Sequence, residues 1–152
     1  NREWSFTART ASHRVVSGRV VVRLGGFWSG DRTQLESVVD LRPSPGILFS
    51  AQIEKNNVDL PQGSFDANLI RLAGEWNITP LASITGNIQY DDVSEVVGLF
   101  MRTRWILKPG NELFLVFTQN WQNLGDGLFD TDRDFLTLSR GASVKLNYTY
   151  RL

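Results

Sequence analysis

The chain has 152 residues, enough for one domain, and its 16 basic and 16 acidic residues cancel. This balance gives no general electrostatic attraction to nucleic acid, so a charge-driven nucleic-acid-binding role is excluded. Cysteine is absent, which excludes disulfides, thiol catalysis and cysteine-ligated metal sites. No run of apolar residues approaches the ~18 that a transmembrane helix needs.

The chain opens at Asn1 with neither an initiator methionine nor a signal peptide. We therefore expect a processed chain or a piece of a longer protein. Nothing in this start argues against export.

Two long stretches, residues 16–28 and 95–108, alternate between apolar and polar or glycine residues. The apolar positions are Val16, Val20, Val22, Leu24 and Trp28 in the first stretch and Val97, Leu99, Met101, Trp105 and Leu107 in the second. Period-two alternation is the signature of a β-strand with one apolar and one polar face.

Turn residues divide the chain into nine predicted strands. The strands span residues 3–10, 15–28, 31–42, 46–58, 64–79, 81–91, 95–108, 112–122 and 134–151. Tight connections with proline at 42–46, 79–80 and 108–111 occur at every second junction, so they lie at one end of an antiparallel meander. The other end carries two predicted long connections, 56–63 and 122–134. Short turns at one end and long loops at the other are typical of an outer-membrane β-barrel.

Eight aromatic residues lie at the ends of the predicted strands and on their apolar faces. Trp4, Trp28, Tyr90 and Trp121 fall at the long-loop end, and Trp76, Trp105, Tyr148 and Tyr150 fall at the short-turn end. Rings at both ends of an apolar face suit a slab with two polar boundaries, which distinguishes a bilayer from a soluble core. The pattern predicts two girdles of membrane-interface aromatics.

The polar faces carry charge of both signs, which predicts a charge network in a barrel lumen. Its members are Arg19, Arg23, Glu36, Asp40, Glu54, Arg71, Glu75, Arg102, Arg104 and Lys145. A two-residue hairpin loop at 29–30 would place Arg23 opposite Glu36 and Arg19 opposite Asp40. The same register would pair Leu24 with Leu35 and Val20 with Val39 on the apolar face.

Two of these residues, Arg102 and Arg104, allow a second interpretation. Cationic side chains in a pore can select anionic solutes. They can equally be structural partners of Glu75 or Glu54, and we favour this structural role.

One segment, residues 102–116, has a distinctive sequence that includes Arg-Trp, Lys-Pro-Gly-Asn and Glu-Leu-Phe. Together with residues 57–61 and the turn at 42–45, it resembles the C-terminal part of an uncharacterised bacterial family. Members of that family join an N-terminal domain similar to carbohydrate-binding family nine to a C-terminal outer-membrane barrel. The resemblance covers most of the chain from Gly18 onward. It implies an outer-membrane location, a missing N-terminal portion and a link to surface or periplasmic glycan handling, and it supplies no catalytic residues.

Candidate sites for chemistry are few. His13 is the only histidine and lies in a predicted turn, where solvation is the simplest role. Residues 126–134 contain four aspartates, but an EF-hand frame fails because Phe135 stands in place of the glycine and Gly141 in place of the glutamate. A solvated loop is the default there, and calcium or a lipopolysaccharide-bridging cation is the alternative.

We therefore expect residues 1–152 to form one antiparallel, up-and-down transmembrane β-barrel domain of about nine strands, the C-terminal part of a larger barrel. An odd strand count fits a fragment, because bacterial single-chain barrels have even numbers. The expected role is an outer-membrane channel or anchor. Its expected partners are membrane lipid, lipopolysaccharide, the barrel assembly machinery and the rest of its own chain, with no nucleic acid, cofactor or resident metal.

Two other classes of protein remain as alternatives. A soluble, lipocalin-like barrel carrying an apolar ligand would show the same alternation, with its apolar face turned inward. An outer-membrane enzyme is the third class, and we expect no enzyme because no nucleophile–base pair can be named.

Overall fold

The computed structural model describes residues 2–124 and 135–149. Their regular structure is nine strands, each of which turns successive side chains to opposite faces. The strands are β1 (Glu3–Arg9), β2 (Val16–Phe27), β3 (Gly30–Leu41), β4 (Ile47–Leu60), β5 (Gly63–Thr79), β6 (Ala82–Asp91), β7 (Val96–Lys108), β8 (Asn111–Asn123) and β9 (Phe135–Asn147). In this part of the chain, no helix is long and apolar enough to cross a membrane.

All nine strands belong to one antiparallel sheet in which each strand pairs with its neighbours in sequence. The order from β1 to β9 is an up-and-down meander, which confirms the predicted all-β architecture and strand count. Over the described ranges, β1 and β9 are the two edges of the sheet, and the sheet is not closed.

The predicted connections are confirmed at one end of the sheet, which we call the turn end. Residues 42–46, 80–81 and 109–110 make the proline-bearing connections there. The opposite end, the loop end, differs from the prediction, because β4 continues to Leu60 and β5 begins at Gly63 across a two-residue turn. The predicted long connection at 56–63 is therefore wrong.

Polar composition explains that error. Asn57 belongs to β4 and donates a hydrogen bond of 2.7 Å from Nδ2 to Asp66 Oδ1 on β5. A strand with water on one side can carry the same residues as a loop, so composition does not separate the two. Most of the second predicted long connection, 122–134, lies outside the described residues.

The predicted register of the β2–β3 hairpin is wrong by two residues. Phe27 pairs with Gly30 across a turn formed by residues 28–29. Arg23 consequently faces Gln34 rather than Glu36. A shift of two residues leaves every side chain on its predicted face, because side chains alternate with a period of two.

Gly30 is the physical reason for this shift. A Cβ added to Gly30 would lie 1.8 Å from the carbonyl oxygen of Asp59 on β4. The glycine therefore permits a close approach of two strands and is not the turn residue. Trp28 takes the turn position instead, with a φ of 56°.

Directly paired residues lie on the same side of a sheet, so the register assigns each side chain to one of two faces. The apolar face carries Val20, Val39, Ile53, Ile70, Ile88, Leu99, Phe117 and Val144, among others. The charged face carries the alternate positions, such as Arg19 and Glu36.

The distribution of burial indicates that the sheet curves toward its charged face. Of the five buried residues, Ser17, Val21, Gln34 and Val58 belong to the charged face, and Asn123, at the loop end of β8, shares the parity of Trp121 on the apolar face. Hollows in the sheet, including one beside Gly98, also lie on this face. Curvature brings side chains together on the concave side and spreads them on the convex side, so the apolar face is the convex one.

This curvature leaves most apolar side chains uncovered. Thirty large apolar residues of the described ranges are exposed, whereas the buried apolar residues are Val21 and Val58. The chain exposes 11088 Å², whereas a compact monomer of 17.2 kDa would expose roughly 7,800 Å². By itself, the sheet is therefore a single layer without a core of its own.

Candidate functional site

The ten residues predicted to form a charge network all lie on the charged face. They are Arg19, Arg23, Glu36, Asp40, Glu54, Arg71, Glu75, Arg102, Arg104 and Lys145. Alternation is enough to gather them on one surface. Their individual partners depend on register and differ from the predicted ones.

Glu36 is the centre of an ion cluster on β2 and β3. Its Oε1 lies 2.6 Å from Arg19 Nη2, and its Oε2 lies 4.0 Å from Arg23 Nη1. The predicted pairing of Arg19 with Asp40 is wrong, because the register shift moves Asp40 past that arginine. Asp40 lies instead 3.5 Å from Arg42.

Glu54 faces Glu36 directly across β3 and β4. Like charges in that position repel each other. Glu54 does not share the arginines that pair with Glu36. It accepts hydrogen bonds from Gln34 (2.7 Å) and Asn56 (3.1 Å) instead. Arg32 ties these amides together by donating to both of their side-chain oxygens, at 2.7 and 3.0 Å.

Arg104 forms an ion pair with Glu112 of β8. The predicted partnership of Arg102 and Arg104 with Glu75 or Glu54 is therefore wrong. Glu112 is available because the register of β7 and β8 brings it beside Arg104, whereas Glu75 lies on β5. Within the described ranges, the side chain of Arg102 makes neither an ion pair nor a hydrogen bond.

Arg71 and Lys145 have no acidic partner among the described residues. Arg71 donates two hydrogen bonds to Gln89 Oε1, at 3.1 and 2.7 Å. Lys145 lies directly across from Phe114. The charged face therefore mixes ion pairs, amides, unpaired cations and aromatic rings.

Five of the predicted interface aromatics lie on the apolar face: Trp4, Trp76, Tyr90, Trp105 and Trp121. Trp28 occupies the β2–β3 turn, and Tyr148 follows the end of β9 and is exposed. Tyr150 lies outside the described residues. Trp121 is level with Tyr90 across the sheet, because both pair with Val97.

The apolar residues form an oblique band across the convex face. Toward the loop end the band stops at Leu24 on β2, because Gly26 follows on the same face and pairs with Asp31 of β3. On β9 it stops at Ala142, because Arg140 follows on the same face. Direct pairs traced from Ala142 back across the sheet reach Val16, eight residues from Leu24. Between these two ends the edge is stepped, because its residues on β4 to β7 pair directly with one another and lie at one level: Ile53, Ile70, Tyr90 and Val97.

This offset gives the average angle between the edge of the band and a line perpendicular to the strands, which equals the tilt of the strands if the edge lies parallel to a membrane surface. Eight residues correspond to roughly 27 Å along a strand, and the seven steps from β2 to β9 to roughly 34 Å across the sheet. The resulting angle is about 39°. The opposite edge descends in the same direction, through Leu41, Trp76 and Trp105.

Beyond the loop-end edge of the band, the two faces exchange character. On the face that is apolar in the band, β3, β4 and β5 carry Asp31, Thr33, Lys55, Asn57, Asp59 and Asp66. On the opposite face, the same region carries Phe27, Val58, Leu60 and Phe65. The convex surface therefore changes from apolar to polar at a defined line.

The charged face also carries amides that the sequence prediction omitted. Gln34, Asn56, Gln89 and Asn120 lie in the same alternating positions as the charges. The alternation that located the charges contains the signal for these amides as well. They were missed because only ionisable residues were considered.

The remaining candidate sites from the sequence are His13 and the acidic segment 126–134. His13 lies in the turn between β1 and β2, as predicted. Residues 2–124 and 135–149 contain no group of three or more histidine or acidic side chains arranged to hold a metal. The acidic segment 126–134 lies outside the described residues.

Neutralising Glu36 should weaken the sheet modestly. Glu36→Gln removes the carboxylate shared by Arg19 and Arg23, and Arg19 is half exposed, so we expect a loss of about 0.5–1 kcal/mol in the free energy of unfolding. Urea titration at low and at 1 M salt measures it, and the loss should shrink as salt screens the pair.

Glu75→Gln is the matched control. Among the described residues Glu75 has no cationic partner and accepts a hydrogen bond from Asn77 at 2.8 Å, which a glutamine oxygen can also accept. Equal losses for the two variants would contradict a specific role for the Glu36 cluster.

Comparison with protein-family models, with curated proteins and with solved structures finds no match to this chain.

Proposed function

We propose that this chain forms part of the wall of an outer-membrane β-barrel, with its apolar face toward lipid and its charged face toward an aqueous lumen. The barrel acts as a channel or as a membrane anchor. Its partners are membrane lipid, lipopolysaccharide, the barrel assembly machinery and further strands of its own chain. The family resemblance drawn from residues 102–116 supports the same assignment.

The oblique apolar band is the observation that carries this proposal. Strands of transmembrane barrels are tilted by about 35–45° from the membrane normal. A slab of lipid would therefore leave an apolar band that crosses the strands obliquely. The average angle of about 39° between the edge of the band and the perpendicular to the strands fits that tilt. On β7 the band extends from Val97 to Trp105, nine residues, which suits a transmembrane strand of about 9–11 residues.

The edges of the band support a lipid boundary. Tyr90 and Trp121 lie together near its loop-end edge, and Trp76 and Trp105 lie at the other edge. Aromatic rings with a polar group favour membrane–water interfaces. Lys55 lies just beyond the loop-end edge, where the convex surface becomes polar and would meet water or lipid headgroups.

The curvature argues against the soluble, lipocalin-like alternative. Such a carrier turns its apolar face inward to form a core and a ligand cavity. Here the concave face carries Glu36, Glu54 and their partners, which are suited to water. The apolar side chains are on the convex side, where only an external apolar phase or partner can cover them.

Matched acidic substitutions on β9 test the proposal. Val144→Asp places a carboxylate on the apolar face, whereas Ser143→Asp places one on the charged face. The full-length protein is expressed in a Gram-negative host, fractionated, and tested for heat-modifiable migration on a gel. Wild type and Ser143→Asp should be folded in the outer membrane, whereas Val144→Asp should fail to assemble there.

A wild-type protein that is confined to the soluble fraction would overturn the membrane assignment. The apolar-ligand carrier would then take its place. For protein in the membrane, conductance across a planar bilayer separates a channel from an anchor.

A further inference from the structure

The charged face contains a hollow of about 340 Å³ that the ion network leaves unused. Gly98 on β7 forms its floor, because a glycine leaves a gap where neighbouring strands carry side chains. Gln89 on β6 and Asn120 on β8 flank Gly98 directly. Asn87 and Thr118 flank Phe100 in the next pair of positions. We infer that this hollow binds a neutral, hydroxyl-rich solute of the saccharide class.

The hydrogen-bonding groups beside Gly98 fit vicinal hydroxyls. Gln89 lines the hollow and uses its oxygen to accept from Arg71, since arginine only donates, and this leaves the Gln89 amide hydrogens as donors for a ligand. Asn120 donates to Ser139 at 2.9 Å, and its oxygen lies 3.0 Å from the position of a Cβ on Gly98. A hydroxyl both donates and accepts, so adjacent hydroxyls can satisfy a donor and an acceptor together.

The other residues that line the hollow do not suit an anionic ligand. No lysine or arginine lines the hollow, and Asp91 is its one charged residue, so an anion would find no countercharge. Phe100 supplies an apolar surface for the carbon–hydrogen side of a sugar ring. A volume near 340 Å³ is at the lower end of known small-molecule sites, which suits one or two sugar rings.

The inference rests on the proposed pore in one respect, because the charged face is then the lumen wall. Binding and conduction are therefore measured separately on the full-length protein. Equilibrium dialysis uses labelled neutral oligosaccharides of glucose, galactose, mannose and N-acetylglucosamine, with a galacturonate oligomer as the anionic comparison. Planar-bilayer recording then tests whether the sugar that binds interrupts the current.

Two variants and a control connect binding to this hollow. Gly98→Leu should abolish saccharide binding, because its Cβ would meet only the flexible Asn120 side chain and the rest of the leucine would extend into the hollow. Asn120→Leu should weaken binding about tenfold, the size of one lost hydrogen bond. Gly86→Leu is the control, since Gly86 lies on the apolar face of the adjacent strand and has room for a Cβ.

The outcomes separate the two proposals. Binding that Gly98→Leu removes and Gly86→Leu preserves supports the site, whether or not the protein conducts. Conductance with no binding of any neutral sugar would overturn the site and leave the pore intact. Tighter binding of the galacturonate oligomer, or equal binding by all variants, would also overturn the site.

Discussion

Replacing Met101 with arginine should cost about 2–4 kcal/mol of folding free energy in lipid vesicles. Met101 lies on the apolar face midway between Val97, beside the loop-end aromatics, and Trp105 at the other edge of the band. A basic residue at the bilayer midplane loses its hydration, and this penalty falls toward the interfaces. Urea titration of vesicle-folded full-length protein, followed by tryptophan fluorescence, measures the loss.

Asn87→Arg is the matched control. Asn87 belongs to the charged face of β6, directly across from Phe100. An arginine there should project from the charged face, stay hydrated, and change stability by less than about 0.5 kcal/mol. A cost near zero for Met101→Arg would mean that Met101 does not face lipid at mid-depth. Equal costs for the two variants would mean that the faces are not distinguished by their solvent.

Gly30→Ala should cost at least about 2 kcal/mol in the free energy of unfolding. The added methyl carbon would lie 1.8 Å from the Asp59 carbonyl oxygen, so the backbones of β3 and β4 must separate. A flexible side chain could rotate away from such a contact, but a paired backbone cannot. The same urea titration measures the difference between this variant and wild type.

Gly18→Ala is the control for this substitution. Gly18 lies in β2, and its Cβ would be 3.4 Å from the Val38 carbonyl oxygen, an ordinary contact. We expect a change within about 0.5 kcal/mol. Equal stability of both variants would contradict the close approach of Gly30 to β4, and with it the physical reason given for the register of the β2–β3 hairpin.

The charged face combines paired and unpaired charged groups. Glu36 and Glu54 are each satisfied by their own partners, whereas Arg102 and Lys145 are unpaired within the described ranges. If the charged face is a lumen wall, the unpaired cations are the groups that passing solutes would meet. The amides beside Gly98 form a separate neutral region on the same face.

The sequence determined the strands and their faces. Side chains alternate with a period of two in any strand, so the apolar and charged positions of residues 16–28 and 95–108 follow from the order of residues alone. Proline-bearing turns then fixed where β3, β5 and β7 end. These are local properties, which need no knowledge of neighbouring strands.

Only the tertiary structure decided the register, the curvature and the partners. The close approach of Gly30 to Asp59 involves residues 29 positions apart, so the sequence around Gly30 does not predict it. Glu112 became the partner of Arg104 through the pairing of β7 and β8. The apolar face is convex because of the direction in which the sheet curves. The alternation of apolar and polar residues would be the same for either direction, so it does not predict the curvature. The solvent proposed for each face therefore depends on long-range geometry that a period of two cannot encode.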